Sequence, residues 1–217
     1  MRRLDALENT YARIDREHAA FRQSAAGRGK TVACPPRCGN CCIHFVPDVV
    51  PIEADRIAFL LLTERPAMID HFFAHREESY ARDAACPFWD ESKPGENCRV
   101  YSGRPLICRL FGFSSMLNKA GEPAFALCHG MAPVPGEEAR LFAGEAEMTG
   151  LFGAVPPPMA DFSAEIVAID PSEAGLRASI LDALPSALAR VALVLKLGAE
   201  EVVPDSDRPS AEPMAAS

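Results

Sequence analysis

The sequence predicts an α-rich α+β fold in which a small, irregular cysteine-cluster domain carries a helical C-terminal extension. Three observations lead there. All eight cysteines of the 217-residue chain fall between Cys34 and Cys128. An apolar stripe at helical spacing precedes them, and an acidic, proline-rich region follows them. Hydrophobic residues make up 48% and charged residues 24%, so a core can be buried and wholesale disorder is excluded. Four segments result: 1–29, an amphipathic helix and linker; 30–130, the cysteine-cluster domain; 131–203, the acidic, Pro-rich helical extension; and 204–217, compositionally a disordered tail.

In chain order, Leu4, Leu7, Tyr11, Ile14, His18 and Phe21 alternate spacings of three and four, which draws one apolar stripe along a helix. A dimerising coil needs more heptads, so this helix packs on the domain. Gly27 and Gly29 end it. The segment Ala25 to Thr31, AAGRGKT, has the look of a phosphate-binding loop, but Ser24 stands where that pattern needs Gly and no strand precedes it. Ile43 to Val50 is apolar enough for a short strand, and Pro51 then opens a helix through PIEADRIAFLLL. A second helix is expected from Pro66 to Tyr80, capped by Thr63, before a turn-rich loop at 90–97. Ser114 to Leu127 reads as a hairpin turning at Lys119 to Gly121, with Pro123 confining its second strand to an edge. Beyond residue 130 lie 10 of the 19 prolines. Asp170-Pro171 suits a helix start, and a further helix is expected after Pro185.

The densest apolar run, Ala187 to Leu197, is 11 residues long and contains Arg190 and Lys196. A membrane span needs about 20 apolar residues, so a buried helix is expected instead. The N-terminus MRRLDALENT has no apolar stretch of the kind a signal peptide needs, which points to the cytoplasm. The net charge is -8, unevenly spread: residues 1–130 hold 17 basic and 16 acidic side chains, and residues 131–217 hold 5 and 14. That leaves no excess of Lys and Arg for phosphates, which excludes a general nucleic-acid binder.

Clustered thiols in a reducing compartment more often hold a metal than form disulfides. The first group is CPPRCGNCC: Cys34, Cys38, Cys41 and Cys42. Cys38 and Cys41 have the C-x-x-C spacing in which a tight turn converges two sulfurs on one ion, and Gly39 eases that turn. Cys41 and Cys42 are adjacent and must diverge, so one faces the ion of Cys38 and the other a second ion or the core. Cys86, Cys98 and Cys108 form a looser second group, with Cys128 beyond; folding must return them to the first. Cys86-Pro87 echoes the last ligand of some bacterial ferredoxin runs. The metal-ligand candidates are therefore Cys38, Cys41, Cys42, Cys86, Cys98 and Cys108, followed by Cys34 and Cys128.

A structural zinc and a 4Fe–4S cluster each take four cysteines, so eight provide two sites or one with spare thiols, and ligand softness does not choose between the metals. Arg104 and Arg109, close to Cys108, either offset thiolate charge or are ordinary surface arginines. Phe88, Trp89, Phe111 and Phe113 read as packing that shields the site. His71 and His75 share a helix face but lack the H-E-x-x-H glutamate, so a solvated face is expected. His44 and His129 are reserve ligands for a mixed site. A C-x-x-C can also serve thiol–disulfide exchange, but no thioredoxin-like βαβ context accompanies it.

Taken together, CPPRCGNCC, the PIEADRIAFLL helix, CPFW and CRVYSGRPLICRLF resemble the bacterial YkgJ-type cysteine-cluster proteins over about residues 30–128. The resemblance implies a zinc- or iron-chelating domain named for a CxxCxxCC motif; here three residues rather than two separate Cys34 from Cys38. A related branch contains flagellin lysine methylases associated with an iron–sulfur cluster, which keeps a protein-modifying enzyme as an alternative. Cys34, Cys38 and Cys41 also have the radical-SAM spacing, but the chain is too short and too poor in βα units for the barrel that motif accompanies. The expectation is a cytosolic metal-binding protein with a structural, redox or partner-modulating role. Its enzymatic status is left open, no catalytic residue is assigned, and a protein partner is allowed for.

Overall fold

The computed structural model describes residues 2–34, 38–93, 95–128, 130–132, 134, 141–173 and 175–200. His129 and the tail 204–217 lie outside them. Among the described residues the fold is α-rich α+β, as expected: seven α-helices and two small antiparallel sheets.

Helix α1 (Arg2–Gly27) is the spine. Its stripe is buried as the spacing requires, with Leu7, Tyr11 and Ile14 in one apolar cluster and Phe21 and Ala25 in another. The first cluster is completed by α4 (Leu106–Leu110) and α6 (Met159–Ile169). The second is completed by α5 (Glu145–Phe152) and a three-stranded sheet of β2 (Met116–Leu117), β3 (Pro123–Ala126) and β4 (Leu141–Ala143). A third cluster joins α2 (Pro51–Glu64) to α7 (Ile180–Glu200) and to Phe72 of α3 (Ala67–His75). Strands β1 (Asp48–Val49) and β5 (Ala178–Ser179) pair antiparallel, which seats the start of α7 beside the start of α2.

One buried carboxylate ties three of these helices together. Glu53 is 1% exposed and accepts from the Val50 and Leu106 backbone N–H groups at 3.0 and 2.6 Å and from the Tyr11 hydroxyl at 3.1 Å. Its bond to Val50 N–H caps the start of α2, where Pro51 costs no hydrogen bond.

Several expectations are corrected. Thr63 does not cap α3: it lies inside α2 and its hydroxyl donates to the Phe59 carbonyl, while α3 begins without a side-chain cap. That helix stops at His75, and Glu78–Tyr80 forms a 3-10 turn. Pro123 sits in the central strand, paired with β2 on one side and β4 on the other. As the strand's first residue it lies where a missing N–H is tolerated. Asp170-Pro171 does not start an α-helix. It follows the end of α6, and Asp170 accepts from Ser172 N–H in a 3-10 turn.

Pro185 lies inside α7, which starts five residues before it. The missing N–H would strand the Leu181 carbonyl, and Arg76 Nε donates to that oxygen at 2.8 Å. Helix α7 is also only half buried: Leu184, Ala187, Leu188 and Val191 face α2, whereas Leu193, Val194 and Leu197 are more than half exposed. At 1.5 Å per residue, its 21 residues outrun the 14 of α2, so the last turns leave their partner behind.

Candidate metal centre

Loops rather than helices supply most of the thiols. Gly39 adopts a left-handed conformation (φ +63°), after which Asn40–Cys42 forms a 3-10 turn closed by Cys42 N–H donating to the Gly39 carbonyl at 2.8 Å. A Cβ on Gly39 would stand 2.9 Å from the Cys98 nitrogen, so only glycine lets this turn rest on the second cysteine loop. Cys86 N–H donates to the Cys42 carbonyl at 2.8 Å, pinning the third loop to the first. Cys98 follows in a short antiparallel bridge to Trp89. Cys108 stands in α4, and Cys128 follows β3 with Gly130 N–H donating to its sulfur at 3.4 Å.

These segments bring all eight cysteines to the wall of one narrow cavity of about 40 Å³, closed by Pro47, Ile57, Phe88, Val100 and Ile180. All eight are unbridged thiols; Cys34 and Cys41 are half-buried and the others buried. A small-molecule site typically has about 300 Å³ or more, so this space suits ions and sulfur rather than an organic substrate. The sulfurs of Cys34 and Cys38 are 3.4 Å apart. Zinc–sulfur bonds of about 2.3 Å would set the edge of a tetrahedron at about 3.8 Å, close to that separation.

The thiols satisfy one another in two groups. At one end, burial and the Cys38 sulfur raise the Cys34 thiol to about 12, with Cys128 and Cys41 also near. At the other, Cys42 contacts the sulfurs of Cys41, Cys86 and Cys98, which hold its proton in place. The Cys42 contact draws Cys41 down to about 7 and lowers Cys98, and in both the Arg104 charge acts the same way. Cys108 is raised by burial and by the sulfurs of Cys86, Cys41 and Cys98. Cys41 thus faces both groups, and its sulfur meets that of Cys42, so the two adjacent thiols do not diverge as expected but form the seam between the groups. As these side chains lie, no three His, Cys, Asp or Glu groups among the described residues form a ready-made ion site. The sulfurs are arranged as hydrogen-bonded thiols, and ligation would need their protons removed and rotamers adjusted. The donor set nonetheless fits a soft metal: it is all sulfur, enclosed, and flanked by one guanidinium.

That guanidinium is Arg104. Its Cζ lies 3.5 Å over the Tyr101 ring, and its Nε donates to the Tyr101 carbonyl at 3.1 Å. Arg109 does not reach the cavity. It is buried over Tyr11, pairs with Asp15 at 3.4 Å and donates to the carbonyls of Arg104 and Ser102, so it shapes the turn that presents Arg104. Phe88 is core and closes the cavity, and Phe111 and Phe113 line its rim, whereas Trp89 lines a separate cleft with His71, His75 and Asp90. His71 and His75 do not line the sulfur cavity, although Cys86 lines both it and their cleft, and the His71 Nε2 is buried rather than solvated. His44 binds the Asp83 carbonyl. Sequence reasoning missed Ile57 and Ile180 as cavity walls, since an apolar residue in a helix carries no mark of the site it closes.

An enclosed, loop-built wall of thiols on a helical scaffold defines a cysteine-cluster protein. Residues 33–129, a little under half the chain, match the family described as "CxxCxxCC: Putative zinc- or iron-chelating domain". All eight cysteines fall within the match, and the YkgJ-type resemblance agrees with it. No curated protein and no solved structure matches the chain. Among the described residues no helix is long and apolar enough to cross a membrane.

Proposed function

We propose that the chain holds thiophilic metal, as zinc or as an iron–sulfur cluster, in a reducing compartment, with a structural or redox role. Cys42, Cys86, Cys98 and Cys108 form one four-sulfur set; Cys34, Cys38, Cys41 and Cys128 form the second. The observation that carries this reading is the convergence of all eight thiols on one cavity too small for an organic substrate. When bound, the metal supplies a cross-link between loops or, as a cluster, a one-electron store. The protein's part is to enclose the sulfurs, to favour the thiolates of Cys41 and Cys98 through the Cys42 contact and, to a lesser extent, Arg104, and to release thiol protons as the metal enters.

Anaerobic purification followed by metal and sulfide analysis tests the reading. Stoichiometric zinc in a colourless protein identifies the zinc form; iron with inorganic sulfide and broad visible absorbance identifies the cluster. Cys42→Ser, at the seam of the two sets, is expected to lower both metal content and thermal stability. A chain that purifies without metal and takes up neither zinc nor iron with sulfide overturns it.

Two observations favour a second reading, thiol–disulfide exchange: Cys41 is held at about 7, and the Cys34 and Cys38 sulfurs already touch. Alkylation against pH separates the two, since exchange needs a single accessible thiol of depressed pKa in a metal-free protein.

A further inference from the structure

We propose that a cleft of about 540 Å³ beside the sulfur cavity binds a small dianion through its phosphate or carboxylate oxygens. The cleft is of small-molecule size and abuts the cavity, with which it shares Cys34, Tyr101, Arg104 and Phe113. Four arginines line it, Arg22, Arg56, Arg104 and Arg109, against two carboxylates, Glu8 and Asp15. The concavity is thus positive by two charges on a protein whose net charge is -8.

The arginines divide by what already holds them. Arg109 is committed to Asp15 and two backbone carbonyls. Arg56 Nε pairs with Glu8, but its Nη1 is buried with no hydrogen-bond partner among the described residues. That nitrogen has no open face toward the cleft, so Arg56 contributes its charge to the wall rather than a direct contact. Arg22 and Arg104 have no carboxylate partner among the described residues, and each lies over an aromatic ring: Arg22 5.6 Å from Phe113, Arg104 3.5 Å from Tyr101. Arg104 already gives its Nε to the Tyr101 carbonyl and its Nη1 to the Cys108 carbonyl, so its Nη2 and the fork of Arg22 are left for the oxygens of a carboxylate or phosphate, which a planar guanidinium matches better than a lysine could. The exposed Ser102, also on this wall, adds a hydroxyl donor. The ligand would lie against Cys34 without entering the cavity, and its binding can be read whether the sulfurs are loaded or empty.

Calorimetric titration of the full-length protein at low salt, with inorganic phosphate in one arm and succinate in the other, tests this. Saturable binding that weakens with salt is expected in at least one arm, and the arm that binds identifies a phosphate-bearing or a dicarboxylate ligand. Arg22→Gln should weaken it by about tenfold, the scale of one charge-assisted contact, and Arg56→Gln, which removes one of the cleft's charges, should weaken it less, with Arg28→Gln, outside the cleft, unchanged. Arg22 is exposed, so its variant remains informative if Arg56→Gln misfolds. No saturation in either arm, or equal affinity in folded Arg22→Gln, overturns the proposal.

Discussion

His18 gives the protein a calculable sensitivity to acid. It is 5% exposed, its Nε2 lies 3.0 Å from the Ser114 hydroxyl, and its ring stacks on Phe113 at 5.3 Å. Burial lowers its pKa from 6.5 to about 4; the nearby charges of Arg22, Arg104 and Arg109 push the same way and Asp15 opposes them. The folded protein therefore refuses a proton that the unfolded chain accepts. Above about pH 6.5 both forms are neutral and His18 costs nothing. As the pH falls from 6.5 to about 4 the unfolded chain gains the proton first and stability declines; below 4 both forms are protonated and the loss is complete. Two and a half powers of ten in proton affinity, at about 1.36 kcal/mol each, come to about 3 kcal/mol. Urea denaturation from about pH 7 to pH 4 measures it, comparing the protein with His18→Gln, whose amide keeps a partner for Ser114. Carboxylates and thiols titrate alike in both, so the variant's stability should fall by about 3 kcal/mol less over that interval. Parallel curves would refute the reasoning.

Three further outcomes follow from named contacts. Glu53→Ala strands two buried N–H groups and the Tyr11 hydroxyl and should cost at least about 3 kcal/mol in urea, against about 1 for Tyr11→Phe. Gly39→Ala should cost about 1–3 kcal/mol, from left-handed strain plus the approach to Cys98, and lower metal content; Gly95→Ala, equally left-handed but with open space around it, should cost only the strain and leave metal content unchanged. Arg76→Ala should cost about 1 kcal/mol or more in thermal unfolding by leaving the Leu181 carbonyl unpaired, and Pro185→Ala should rescue it by restoring the helical N–H.

The elements legible in the sequence were those whose signal is local. The stripe from Leu7 to Phe21, the Pro51 helix start and the turn before Gly121 follow from spacing and from proline and glycine geometry. Helices α5 and α6 lie in the segment expected to be helical, but their positions were not foreseen; Pro158 stands just before α6, where a missing N–H does no harm. The position of Pro185 was misread because its cost is met by Arg76, more than a hundred residues away. The cysteine groups could be named from composition and spacing. Their meeting was expected, but not the geometry of it, which depends on Gly39 packing against Cys98 and on the Cys86–Cys42 backbone bond, contacts between loops that no local pattern encodes.

The cavity and the cleft meet at Arg104, and electrostatics makes that junction consequential. On the proposed reading, four thiolates around a divalent ion carry about two negative charges, within reach of a guanidinium that already lowers Cys41 and Cys98. The same guanidinium lines the cleft. Tyr101 and the Tyr101 carbonyl hold it in place, so it cannot swing to one side when the other fills. A charged sulfur site and a bound oxyanion would then share one fixed cation and repel each other across it. Because coupling between two binding sites is reciprocal, metal in the cavity weakens the anion to the same extent that the anion weakens the metal, and the shared Arg104 joins two separately testable sites into one system.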